Sequence, residues 1–117
     1  NNNKTYIAIY NKGGNLMKHL KTKDQENFIK KLKELREINN WTIKEFSELT
    51  EISAGYISDI ECGRAANIGK DRFSKMISVL KKNKFSKKDE YEFYSYYLKL
   101  IIPKEVYKVM VKEYIQE

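Results

Sequence analysis

The stretch from Thr42 to Arg64, TIKEFSELTEISAGYISDIECGR, constrains this chain more than any other. Apolar residues fall at Phe46, Leu49, Ile52, Ile57 and Ile60. Phe46 and Leu49 are three apart, as are Ile57 and Ile60, which suits one face of each of two short helices. Thr50-Glu51-Ile52 lies between them, and Ser53 stands where its hydroxyl caps the second helix. Gly63 ends that helix, because glycine tolerates the left-handed conformation a helix C-terminus prefers.

Two short helices, a tight turn and a capped second helix make the sequence shape of a helix-turn-helix. Such a unit sets its second helix proud of the surface, able to enter a DNA major groove. The stretch resembles the helix-turn-helix of the Cro and phage-repressor family, the xenobiotic-response-element regulators of bacteria. The resemblance rests on Thr42, on Glu45-Phe46, and above all on Ser53-x-x-Tyr56-Ile57-Ser58-x-Ile60-Glu61-x-Gly63-Arg64. It covers roughly residues 25–80. Ile43 stands where the family usually has Gln, and Glu51 where its turn usually has Gly. The implied fold is all-α: a lambda-repressor-like bundle of five to six helices, with a short strand-like N-terminal arm.

Spacing from Ile57 and Ile60 puts Ala54, Gly55, Ser58 and Asp59 on the exposed face of the second helix. The resemblance implies base contacts at these four positions and a phosphate contact at Ser53. Ala54 suits a thymine methyl, and Asp59 can accept from a cytosine amino group or hold a neighbouring side chain. None of the four is the long Arg, Asn or Gln of bidentate readout, so DNA shape carries part of any specificity. Tyr56 is expected to pack at the helix base with its hydroxyl toward phosphate. Lys44, Arg64 and Lys70 flank the unit and are the further phosphate candidates. The resemblance also implies a structural ion pair between Arg36 and Glu61.

A chain of 117 residues, 41% of them hydrophobic, suits one small core. No apolar run is long enough to span a membrane, and no signal peptide precedes the rest, so a cytoplasmic location is expected. A single cysteine, Cys62, excludes an internal disulfide and has no neighbouring ligand for a metal. The net charge of +7 is unevenly spread. Residues 17–84 carry fifteen basic and ten acidic side chains, whereas residues 85–117 carry six of each. The excess lies beside the helix-turn-helix and favours a polyanion partner.

Thr5 to Tyr10 is rich in β-branched and aromatic residues, as a strand would be, and Gly13-Gly14 breaks it. Codons allowed for Lys12-Gly13-Gly14 include a purine-rich ribosome-binding site just ahead of Met17. Residues 1–16 therefore read either as translated leader before a start at Met17 or as a flexible arm. His19 is expected in solvent. Phe28, Ile29, Leu32, Leu35 and Ile38 predict a first helix from Asp24 to the Asn39-Asn40 pair, with Lys30, Lys31, Lys33 and Arg36 between the apolar positions. Trp41 is expected to be core. Phe73, Met76, Ile77 and Leu80 predict a fourth helix. Ser86-Lys87-Lys88-Asp89 resembles a capping box opening a fifth, and Pro103 suits the first turn of a sixth.

The implied division is an arm at 1–22, a DNA-binding domain at 23–84 and a helical extension at 85–117. That extension holds eight of the fifteen aromatics, five of them within residues 91–97, more than one helical face can bury. It is expected to form a homodimer through Tyr94, Tyr97, Leu98, Ile101, Met110 and Tyr114, the alternative being that the tail folds back on its own core.

No nucleophile–base pair, metal-ligand cluster or glycine-rich phosphate loop is present, so no enzyme and no cofactor is expected. Three functions fit. The first is a repressor of a phage or mobile-element operon on double-stranded DNA. The second is the antitoxin of a toxin–antitoxin pair, with the aromatic tail covering a toxin; beyond DNA and a second copy of the chain, a toxin or an anti-repressor protein is the further partner expected. The third is a protein-interaction module that has lost DNA binding, in keeping with Ile43, Glu51 and the short side chains of the reading face.

Overall fold

The computed structural model describes residues 4–10, 16–65 and 67–116, with side chains over 22–65 and 67–110. Strands β1 (Lys4–Tyr10) and β2 (Leu16–Thr22) pair antiparallel, from Lys4 opposite Thr22 to Tyr10 opposite Leu16. The strand-like arm is thus a hairpin whose second strand, carrying Met17 and His19, had no sequence signal assigned to it. The Gly13-Gly14 break and the side chains of Met17 and His19 lie outside the described residues.

Thr22 ends β2 and caps helix α1 (Lys23–Ile38). Its hydroxyl accepts from Gln25 N at 3.1 Å, and Gln25 Oε1 accepts from Thr22 N at 3.0 Å, closing a capping box. Helices α2 (Ile43–Thr50), α3 (Ala54–Glu61) and α4 (Lys70–Lys81) follow, then α5 (Lys87–Ile101) and α6 (Lys104–Gln116). The bundle is all-α, and the hairpin stands ahead of it.

Phe28, Leu32 and Leu35 of α1 meet Phe46, Ile57, Ile60, Met76 and Leu80 in a fully enclosed core. Each such side chain contributes about 1.5–3 kcal/mol on leaving water. Helix α5 belongs to this core. Phe93 stacks on Phe28 at 5.2 Å, and Tyr97 stacks on Phe73 at 3.7 Å. The expected division at residues 84 and 85 therefore falls inside the packed unit.

Several sequence expectations are corrected by packing. Leu49 is 49% exposed, while Thr50 is buried in the place the spacing had given to leucine. Ile38 is 40% exposed at the last turn of α1. Lys31, which stands between the apolar positions of α1 in the sequence pattern, is buried against α5. Its ammonium donates to Asp89 at 2.7 Å, Glu92 at 2.8 Å and Glu34 at 3.0 Å. Burial alone would lower the Lys31 pKa, but the three carboxylates outweigh it and raise it. The Ser86 hydroxyl caps Asp89 N, yet the Asp89 carboxylate reaches Lys31, so only half of a capping box forms. Pro103 sits just before α6, its carbonyl accepting from Tyr107 N at 3.0 Å.

Candidate nucleic-acid interface

Thr42 and Glu45 close a capping box at the start of α2, with bonds of 2.8 and 3.0 Å. The turn that follows is fastened from below. Thr50 Oγ1 donates to Phe46 O at 2.7 Å and accepts from Ile52 N at 3.3 Å, while Ser47 Oγ donates to Ile52 O. Glu51 takes the left-handed conformation, φ 61°, that the corner requires and that glycine adopts most cheaply. Ser53 then caps α3, accepting from Tyr56 N at 3.1 Å.

The inner side of α3 is fixed twice. Ile57 and Ile60 are wholly buried, and Glu61 accepts two bonds from Arg36, at 2.7 and 2.9 Å. Arg36 Nη1 also donates to Trp41 O at 2.8 Å, so one guanidinium ties α1, the α1–α2 link and α3 together. That hydrogen-bonded pairing with Glu61 raises the Arg36 pKa further, against the opposing pull of burial. Trp41 lies on the core, stacked on Phe46 at 5.5 Å.

The outer side of α3 is bare. Ser53 and Gly55 are exposed and Ala54, Ser58 and Asp59 partly so. A Cβ placed on Gly55 would meet no atom within 4 Å. Gly63, at φ 82°, turns the chain back after α3. Asp59 is not a free acceptor: Arg64 Nε donates to its Oδ1 at 3.0 Å. Nor does Tyr56 offer a free hydroxyl, since that group donates to Asn67 O at 2.8 Å. The guanidinium of Arg72 sits 4.1 Å above the Tyr56 ring, a cation the sequence reading did not select. Lys44, Arg64 and Lys70 are exposed, and α4 follows Gly69 without a side-chain cap.

The residues assigned to a dimer contact divide. Tyr97 is 5% exposed in the chain's own core, its hydroxyl donating to Ile68 O at 2.8 Å, so it offers no free surface. Tyr94 is half-buried edge-on to Phe73 and Phe85, and its hydroxyl donates to Glu90 at 2.7 Å. Burial and that carboxylate push its pKa up to about 12. Leu98, Ile101 and Met110 are exposed, together with Val106 and Val109. The Tyr114 side chain lies outside the described residues. The aromatic cluster thus folds mostly onto its own bundle. Of its five members only Tyr91, at 69%, stands out in solvent.

A capped pair of short helices, a fixed inner side and an open outer side define a helix-turn-helix protein. The chain belongs to the helix-turn-helix domain family, whose model matches residues 29–108. This agrees with the resemblance to Cro and phage-repressor regulators and marks a DNA-binding regulatory domain. The match runs through α5 without a break at residue 84. No curated protein and no solved structure matches the chain. Among the described residues, no helix is long and apolar enough to cross a membrane, and no acidic, His or Cys group could hold a metal.

Proposed function

We propose that this chain is a sequence-specific transcriptional regulator of double-stranded DNA, a repressor of a phage or mobile-element operon that binds palindromic operators as a homodimer. The observation that carries the reading is the open outer side of α3, flanked by Arg64 on Asp59 and Arg72 over Tyr56. In this reading Gly55 allows close approach to the base edges, Ala54 touches a thymine methyl, and Ser58 bonds a base. Ser53, Lys44, Arg64 and Lys70 hold phosphates, and each cation adds about 0.9 to the slope of affinity against salt. The role of Tyr56 is to brace Asn67 beside that phosphate surface. No residue has a catalytic role.

Homodimerisation uses the exposed Leu98, Ile101 and Met110, setting two recognition helices about 34 Å apart along the duplex. The same apolar surface favours one second reading, an antitoxin whose tail covers a toxin. A mobility-shift titration on the gene's own promoter tests the principal reading. A retarded complex that competitor DNA of unrelated sequence does not displace is expected. Absence of any complex at low salt contradicts it. Sedimentation at high micromolar concentration is expected to give a dimer, and a monomer there removes the palindrome.

A further inference from the structure

Asp59 is the one acidic side chain on the outer side of α3, one turn beyond Gly55 along the same face. A lone carboxylate there would meet DNA phosphates with repulsion. It is not alone. Gly63 turns the chain back at φ 82°, and the backbone carbonyl of Asp59 accepts from Arg64 N at 2.7 Å and Ala65 N at 3.1 Å. The side chains then join, Arg64 Nε to Asp59 Oδ1 at 3.0 Å, with the Cys62 side chain beside the guanidinium. The hydrogen bond between the two side chains runs through Nε, and the two terminal nitrogens of Arg64 stand outside it. Those nitrogens form the fork that suits a phosphate.

We infer that Asp59 is a positioning residue: it holds Arg64 by Nε so that the terminal nitrogens engage a backbone phosphate past the end of α3, and it reads no base. The inference rests on the DNA-binding reading above and removes Asp59 from the base-contacting set. It also explains how an acidic group is tolerated on a DNA-facing helix. Its charge is cancelled before the duplex arrives.

The test uses the full chain as wild type, Asp59→Ala, Arg64→Ala and the double variant. A pool of duplexes with a randomised core is selected and sequenced with each, and the wild-type consensus duplex is then titrated across salt. Wild type and Asp59→Ala are expected to enrich the same motif. Each single variant is expected to bind the consensus about tenfold more weakly, as loss of one charge-assisted bond implies. The salt slope should fall by about one unit in Arg64→Ala. The double variant should be no weaker than Arg64→Ala. Loss of a cytosine preference in Asp59→Ala, tighter binding by that variant, or additive effects would each overturn the inference while leaving DNA binding intact. A wild type that enriches no motif and binds no duplex would overturn the DNA-binding reading, and this inference with it. Both side chains are partly exposed, and unchanged thermal melts establish that the variants fold.

Discussion

Helix α3 has an inner and an outer side, and each carries an ion pair, but the two pairs do different work. The Arg36–Glu61 pair lies within the bundle, its side chains 11% and 6% exposed, and is bidentate. The Asp59–Arg64 pair lies on the surface, its side chains 47% and 38% exposed, and rests on one bond. Removing one partner of an enclosed pair strands a charge away from water, whereas removing an exposed partner leaves the other hydrated. Stability is therefore concentrated on the inner side, and the outer side is free to be shaped by a ligand. The absence of a side chain at Gly55 costs the packing little, because a Cβ there would meet no atom within 4 Å.

Substitutions can break this contrast in order of size. Arg36→Ala should have the largest effect, a loss of about 3–5 kcal/mol, because Glu61 is left enclosed without its cation. Urea unfolding would read this as a lower midpoint at constant slope, and an unchanged midpoint would make the two sides of α3 equivalent. Replacing both partners by apolar residues, Arg36→Met with Glu61→Leu, should recover most of the loss.

A smaller effect is expected at the α1–α5 node. Hydrogen bonding to Lys31 holds the Asp89 carboxyl below its ordinary pKa, against burial, which pulls the other way. A carboxylate depressed in the folded state stabilises it fully above the ordinary range, and that stabilisation is lost as pH falls through the depressed value. Asp89→Asn should therefore be less stable at neutral pH and show a shallower loss between pH of about 4 and lower values. Parallel acid curves for the two proteins would dissociate Asp89 from the node.

Glu51→Gly should stabilise the chain by about 1 kcal/mol, since it relieves a left-handed glutamate at the corner. A destabilised variant would mean that Glu51 contributes a contact worth more than the strain. Asp59→Ala should change stability by no more than about 0.5 kcal/mol, the smallest effect of the series.

Much of this was legible because helical spacing and caps are local. The Ser53 and Ser86 caps and the apolar rows of α1 and α4 are read directly from short intervals of sequence. The capping box from Thr22 to Gln25 is equally local, a threonine and a glutamine three residues apart. What sequence could not provide was the relation between distant elements. Lys31 looks like any surface lysine until α5 brings Asp89 and Glu92 to it, 58 and 61 residues away in the chain. Tyr97 reads as surplus aromatic surface until α5 folds it against Phe73. Leu49 and Thr50 exchange their expected roles because the turn needs the threonine hydroxyl to satisfy buried backbone groups. On the outer side of α3 the exposed positions were legible from Ile57 and Ile60. The pairing of Asp59 with Arg64 depends on the reversal at Gly63, which spacing within the helix does not encode.

Gly55→Glu tests most directly whether the outer side of α3 is a DNA-reading surface. The new side chain meets open space in the fold and places an acid in the first turn of a helix, so thermal stability should be retained or rise by about 0.5–1 kcal/mol. Fluorescence anisotropy on the gene's own promoter duplex should then show specific binding abolished in a fully folded protein. Undiminished affinity of Gly55→Glu for that duplex would contradict the account.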